Sequence, residues 1–261
     1  MDLALKDKVA VVTGGGSNIG RAIAHEFARE GAKVAILDRD IEQARKTVAE
    51  IEAAGGRAVA WQLDVTDVEA TRLVVDTVET ELGPIAALVN NVGWNGKAEF
   101  FLGLTPERWR KAFELNLFST FNVTHHVLPR MVERRDGSIV SIASDAGFGE
   151  FRMADYGAMK AGVLAFTRTI AKEYGRYGIR ANSVAPGLVI PAPDDIGDGS
   201  LWKDDIGMGP KEVRNIEAGI PLRRRSEAAD IAWSVVFLSS ERARQLTGQV
   251  LSVSGGFQMP R

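Results

Sequence analysis

Cysteine is absent from the 261 residues, which excludes a disulfide scaffold and any thiolate-held zinc. No run of 18 apolar residues occurs, so no transmembrane helix is expected. Neither sign of charge dominates: 32 basic side chains against 34 acidic ones give a net charge of −2. A domain that coats nucleic-acid phosphates would be visibly basic. Histidine is scarce, and His25, His125 and His126 show no metal-ligand spacing. Adjacent helical residues point to different faces, so these are read as solvated or core histidines and no metal is expected. Residues 1–8 contain no apolar h-region, hence no evident signal peptide. The expectation is a soluble cytoplasmic protein with no nucleic-acid or membrane partner.

Linkers, internal repeats and low-complexity tracts are also missing. A chain of this length buries roughly 70–75% of its unfolded surface, and one domain over residues 1–261 is expected. Short β-rich runs alternate with longer helical patterns. The runs are Val9–Val12, Lys33–Leu37, Ala58–Leu63, Ala87–Asn90, Ser138–Ser141, Arg180–Val184 and Gln249–Val253. Helices are predicted near 19–30, 41–54, 67–82, 106–133, 156–175 and 226–239. In the second, Ile41, Ala44, Val48 and Ile51 fall on one stripe, with Glu42, Arg45, Lys46 and Glu50 outside it. Several strands are continuously apolar, as a parallel sheet covered on both faces requires. The fold class is α/β: a doubly wound, seven-stranded parallel sheet of the Rossmann type with helices on both faces.

One stretch breaks this rhythm. Pro186, Pro191, Pro193 and Pro210 fall in or beside 187–210. Long irregular connections in compact domains are usually functional, and Trp202 and Met208 favour a substrate-binding lid at about 188–216 over a disordered surface insertion.

The first strand runs into Thr13-Gly14-Gly15-Gly16-Ser17-Asn18-Ile19-Gly20 ahead of a helix. Such a turn lets backbone approach a pyrophosphate, which the helix N-terminus stabilises. Asp38 ends the second strand, where a carboxylate accepts hydrogen bonds from ribose hydroxyls. Asp64-Val65 ends the third strand and suits an adenine edge, and Asn90-Asn91-Val92-Gly93 ends the fourth. All lie at the C-terminal ends of parallel strands, where open α/β sheets bind ligands.

Tyr156 and Lys160 stand at i and i+4 on one helix face. A phenol with a pKa near 10 is a poor base at neutral pH, but a nearby ammonium and an oxidised nicotinamide favour the phenolate. Tyr156 can then take a proton from an alcohol, or return it in reduction. Ser144, twelve residues earlier, can polarise the substrate oxygen, with Ser141 as its rival.

Taken together, Thr13-Gly14…Gly20, Asn90-Asn91-Val92-Gly93, Asn116, Ser144, Tyr156-Gly157-Ala158-Met159-Lys160 and Pro186-Gly187 resemble the ordered motifs of the short-chain dehydrogenase/reductases, over about residues 6–256. The resemblance implies NAD as cofactor, held by Gly14, Ser17, Asn18, Ile19, Gly20, Asp38, Asp64, Val65, Asn90, Asn91, Gly93, Tyr156, Lys160, Pro186, Gly187 and Val189. It favours Ser144 over Ser141. It also implies that Asn116 holds a water that extends a proton relay through Lys160, and that Lys160 bonds the nicotinamide ribose. Asn18 replaces the usual middle glycine; Asn tolerates positive φ best among non-glycine residues, so the turn should survive. Val92 replaces the usual Ala, and Pro191 a common Thr whose hydrogen bond to the cofactor is lost.

The implied reaction moves a hydride between nicotinamide and a secondary alcohol or ketone. Residues 127–147 and 247–256 are similar to dehydrogenases of alicyclic alcohols and hydroxyacyl-CoA thioesters. Trp94, Phe148, Phe151, Leu188, Trp202 and Met208 could line a bulky apolar pocket, though core or interface packing suits Phe151 and Met208 equally. Alternatives are a 3-oxoacyl thioester reductase, which Asp38 disfavours because such enzymes normally take NADPH, and a non-catalytic nucleotide-sensing module, which would have no need of the Asn116–Ser144–Tyr156–Lys160 set. Arg223-Arg224-Arg225 reads as a solvated or interface charge run, or as a clamp for a phosphate-bearing substrate tail. The resemblance further implies a homotetramer built on the 106–133 and 156–175 helices, the second carrying Gly157, Ala158, Ala161, Gly162 and Ala165, with 249–256 as a second contact.

Overall fold

A computed structural model describes residues 2–192, 196 and 209–259. Its seven strands are β1 (Val9–Thr13), β2 (Lys33–Asp38), β3 (Arg57–Gln62), β4 (Ile85–Asn90), β5 (Gly137–Ile142), β6 (Ile179–Pro186) and β7 (Val250–Val253). They form a sheet in the order β3-β2-β1-β4-β5-β6-β7, and every pairing is parallel. The helices are α1 (Asn18–Arg29), α2 (Ile41–Ala53), α3 (Val68–Leu82), α4 (Pro106–Phe113), α5 (Ser119–Arg134), α6 (Ala154–Tyr174), α7 (Pro210–Gly219) and α8 (Ala228–Ser239).

The apolar strands alternate their loyalties. Ala10, Val12, Val34, Ile36 and Val140 face one layer, where Ile23, Phe27, Ile51 and Val235 from α1, α2 and α8 pack. Val9, Val11, Ala35, Leu37 and Ile139 face the other, against Val75, Val78, Val127, Met131 and Ile170 from α3, α5 and α6. Successive side chains leave a strand on opposite faces, so two buried faces demand an unbroken apolar run. Strand order reverses between β1 and β4, which opens a crevice at the C-terminal edge of the sheet.

One helical expectation is corrected. The helix predicted over 106–133 is interrupted: a π-helical segment, Glu114–Phe118, separates α4 from α5. Asn116 lies inside it and sends its amide Nδ2 to the Ala112 carbonyl at 2.9 Å, a local side-chain bond of the kind that competes with the helical ladder. The predicted lid region contains α7, which Pro210 starts at its first position and Glu212 steadies by accepting the Gly209 N–H at 2.8 Å. Trp202 and Met208, expected in the lid, lie outside the described residues.

Candidate active site

The turn after β1 is shaped by close backbone approaches. Gly14 has φ of +62°, and a Cβ on Gly20 would stand 2.0 Å from the Gly14 carbonyl oxygen and 2.6 Å from Asn91 Nδ2. Asn18 adopts φ of +45°, so the glycine conformation expected there survives in its substitute. Thr13 and Asn91 lock this turn to β4. The Asn91 N–H donates to Thr13 Oγ1 at 3.0 Å, and Asn91 Nδ2 donates to the Thr13 carbonyl at 3.0 Å.

This cradle fits a dinucleotide pyrophosphate. Ser17 precedes α1 without capping it, and no acidic side chain occupies the first turn, so the positive helix end is not neutralised. Asn18 Nδ2 is buried with no hydrogen-bond partner, a donor suited to an anionic oxygen. Asp38 sits at the crevice edge. Its Oδ2 accepts the Gly16 N–H at 2.9 Å and its Oδ1 the Asp40 N–H at 3.0 Å. Burial nonetheless pushes its carboxyl above the ordinary value, against these two bonds.

Gly14, Ser17, Ile19, Gly20, Asp64, Val65, Asn91, Gly93, Pro186, Gly187 and Val189 also line the crevice. Asp64 accepts both donors of Thr66, N–H at 2.9 Å and Oγ1 at 2.7 Å. Val65 is anchored from α5, where Asn122 Nδ2 donates to its carbonyl at 2.9 Å. Asn90 is the exception among the expected cofactor residues. It is buried behind the wall, and its Nδ2 donates to Thr124 Oγ1 at 2.9 Å.

At the far end the crevice wall includes Ser144, Tyr156, Lys160 and Trp94. Ser144 follows β5 and accepts the Ala146 N–H at 3.2 Å; Ser141 lies within the strand, fully buried. Ser144 stands close enough to Tyr156 to act on its phenol. Burial raises the Tyr156 pKa, and Ser144 opposes that rise. Lys160 lies with Nζ 5.7 Å from the Tyr156 ring centre and donates to the Ile142 carbonyl at 2.8 Å. Burial pushes its pKa down to about 7. Burial is the leading influence on both groups, and it disfavours the charged form of each.

Asn116 is held by backbone groups. It is fully buried, with its Oδ1 beside Gly93. Its Oδ1 accepts the Trp94 N–H at 2.9 Å, and its Nδ2 donates to the Trp94 carbonyl at 2.8 Å. With the Ala112 bond, the amide's donors are spent on backbone, so its side chain positions the 93–94 segment. Trp94 is further clamped by Lys111, whose Nζ lies 4.1 Å from the ring centre.

Phe148, Phe151 and Leu188 are not among the residues lining this crevice. Phe148 closes a short 3₁₀ turn, and Phe151 is 71% exposed, edge-on to Phe100. Leu188 lies beyond the crevice lining and accepts the Ser226 N–H at 3.1 Å. Arg223, Arg224 and Arg225 are engaged locally, by the Ala218 carbonyl, Asp230 and Glu217 respectively, which fits the charge-run reading. Sequence reasoning overlooked Asp145, buried beside Ser144, bonded by Ser252 Oγ at 3.1 Å and pushed up to about 6 by burial. It also overlooked Arg108 and Asp155.

A family model described as short chain dehydrogenase matches residues 8–193. The chain belongs to the short-chain dehydrogenases. It is 34% identical over 256 residues to a 2,3-dihydro-2,3-dihydroxybenzoate dehydrogenase of Bacillus subtilis, covering 97% of this chain and 96% of that one. It is 35% identical over 257 residues to the 3-oxoacyl-[acyl-carrier-protein] reductase FabG of Thermotoga maritima, covering 97% and 99%. A 7alpha-hydroxysteroid dehydrogenase of Escherichia coli K12 is 34% identical over 256 residues, covering 98% and 96%. The crystal structure of gox2181 matches with a TM-score of 0.90 and 33% identity, covering 98% of this chain and 97% of that one. As a short-chain dehydrogenase, the protein is an oxidoreductase that uses a nicotinamide cofactor on a small-molecule alcohol or ketone. No helix among the described residues is long and apolar enough to cross a membrane.

Proposed function

We propose that the enzyme is an NAD(H)-dependent dehydrogenase of secondary alcohols carried on a bulky or alicyclic frame, acting through Ser144, Tyr156 and Lys160. The observation that carries this reading is the gathering of Ser144, Tyr156 and the Lys160 amine in the wall of the glycine-turn crevice. A bound nicotinamide supplies the hydride acceptor or donor and, when oxidised, a positive charge. Gly14, Asn18 and Gly20 would hold its pyrophosphate, Asp38 the adenosine ribose, and Asp64 with Val65 the adenine.

Ser144 Oγ orients the substrate oxygen. Tyr156 takes the hydroxyl proton during oxidation and returns it during reduction. Lys160, its Nζ tied to the Ile142 carbonyl, steadies the phenolate when charged and exchanges protons near neutrality, because its pKa is pushed to about 7. Trp94 offers a flat apolar wall. Ring alcohols are also what the names of the dihydrodihydroxybenzoate and hydroxysteroid relatives describe.

The FabG relatives favour a second reading, reduction of a 3-oxoacyl thioester. Asp38 weighs against its usual NADPH: unit charges about 4 Å apart repel by roughly 4 kcal/mol at an effective dielectric of 20. Arg39 is the competing phosphate reader. A screen of secondary alcohols, cyclic ketones and hydroxyacyl-CoAs by NADH absorbance separates the two readings, and a preference for NADPH and oxoacyl thioesters would reverse our choice. On the best substrate, Tyr156→Phe lowers kcat by roughly 10²–10⁴-fold with cofactor affinity kept; near-normal turnover would remove the acid–base assignment.

For assembly, the same reading gives a homotetramer, supported by the exposed apolar Phe113, Phe121, Trp233 and Leu251. Light scattering at micromolar concentration should return four subunit masses; a monomer would exclude it.

A further inference from the structure

Asp155 immediately precedes the proposed acid–base residue, and its side chain is only 1% exposed. Its partner comes from 47 residues upstream, on α4. Arg108 Nε donates to Asp155 Oδ2 at 2.7 Å, and Arg108 Nη2 reaches Oδ1 at 3.5 Å. The same Nη2 donates to the Asn95 carbonyl at 3.3 Å, and the guanidinium carbon lies 5.7 Å from the Trp94 ring centre. One cation thus ties together α4, the segment after Gly93 and the start of α6.

The carboxylate passes this fixation on. Asp155 Oδ1 accepts the backbone N–H of Tyr156 at 2.9 Å. Met153, which precedes α6, gives no side-chain cap, so Asp155 is the side chain that restrains the first turn. A negative group there also complements the helix end. Buried ion pairs are a poor source of net stability, because well-packed apolar residues of the same volume usually serve as well or better. Their advantage is directional: a guanidinium fork fixes the plane and position of a carboxylate. Here the position being fixed is the backbone of Tyr156.

We propose that Arg108 and Asp155 are positioning residues for Tyr156, holding its hydroxyl in register with Ser144, and that neither touches the substrate. This rests on the acid–base reading of Tyr156 given above. Misplacing a reacting group by about 1 Å can cost 10²-fold in rate, whereas the nucleotide cradle of β1 and α1 does not involve the pair.

The test compares Arg108→Lys, Arg108→Gln and the double variant R108Q/D155N on the fastest alcohol of the screen, with NADH affinity followed by fluorescence titration. The double variant removes both charges together, so it leaves no buried carboxylate unpaired if Arg108→Gln alone does not fold. The expected result is a kcat lowered roughly 10- to 100-fold in Arg108→Lys and in the double variant, with NADH affinity within about twofold of the parent. A kcat within twofold of the parent in both overturns the proposal. So does a kcat loss matched by an equal loss of NADH affinity, which would mark general damage. Tyr156→Phe, measured alongside, separates the two levels: an active Tyr156→Phe defeats the acid–base reading itself, and an inactive one with unaffected Arg108 variants defeats only the positioning role.

Discussion

On the β1–β3 side of the crevice, contacts are made by backbone, by glycines without room for a Cβ, and by short polar groups such as Thr13, Asn18 and Asn91. Beyond Gly93 the materials change to an indole, two cations, a buried carboxylate and a buried lysine, supplied by α4, α6 and the segment between β4 and α4. Asp38 apart, the first side presents fixed dipoles to a ligand with a constant shape. The second holds desolvated ionisable groups whose protonation is the work to be done. Tolerance to change should differ accordingly: steric on one side, electrostatic on the other.

The comparison breaks most sharply at Gly20. A methyl group there meets the Gly14 carbonyl at 2.0 Å with no flexible neighbour to yield. Gly20→Ala should weaken NADH binding by about 100-fold or more, with the turn forced open. Fluorescence titration, with circular dichroism to show that the sheet persists, checks this.

Lys160→Met tests the electrostatic side. The lysine pKa falls from 10.5 in the unfolded chain to about 7 in the folded one, so the unfolded state binds more protons between those values. The burden on stability is full below about pH 7 and is relieved as pH rises towards 10.5. The substitution should abolish turnover yet raise stability by about 1–3 kcal/mol at pH 6, with the gain shrinking by pH 9. Thermal melts at the two pH values measure it.

The smallest effect is expected at Asp38. Asp38→Ala should narrow the NAD preference in kcat/KM by roughly tenfold, the repulsion being reduced by relaxation and salt. In the parent enzyme the preference should narrow as pH falls. Burial has raised the Asp38 pKa, and protonation removes the charge that repels a 2′-phosphate. The ratio of kcat/KM for NAD and NADP at pH 5.5 and pH 8 reads this directly.

These two sides also differ in how far they were legible from the sequence. Glycine spacing, strand-end Asp38 and the continuous apolar runs are local signals, and they forecast the turn, the ribose carboxylate and the parallel sheet. Asn18 was readable because its φ of +45° is a property of one residue. Tyr156 and Lys160 share a helix face, so their proximity was readable, but their pKa directions were not. Burial arrives from elements distant in the chain. Arg108 and Asp155 are 47 residues apart and belong to no periodic pattern. Asn116 was visible as an oddity in a helix, yet its partner, the Trp94 backbone, could not be named without the π-helical turn. Nothing in the composition of Phe148 and Phe151 announced the 3₁₀ turn or the Phe100 ring contact in which they are found.

The reversal of strand order between β1 and β4 has a consequence in time. Thr13 Oγ1 donates to the Val89 carbonyl across 76 positions, so β1 stays an unpaired edge on that side until about ninety residues have been made. During synthesis the amino-terminal βαβ units can assemble first, with Val9, Val11 and Val12 lacking their β4 neighbours. Contacts of such long sequence separation are slow to form, and an exposed apolar edge is prone to pairing with other chains. A nicotinamide nucleotide offers no relief at this stage, because Asn91, Gly93 and Gly187, which line its crevice, have yet to emerge. The cofactor can therefore stabilise only what has already folded.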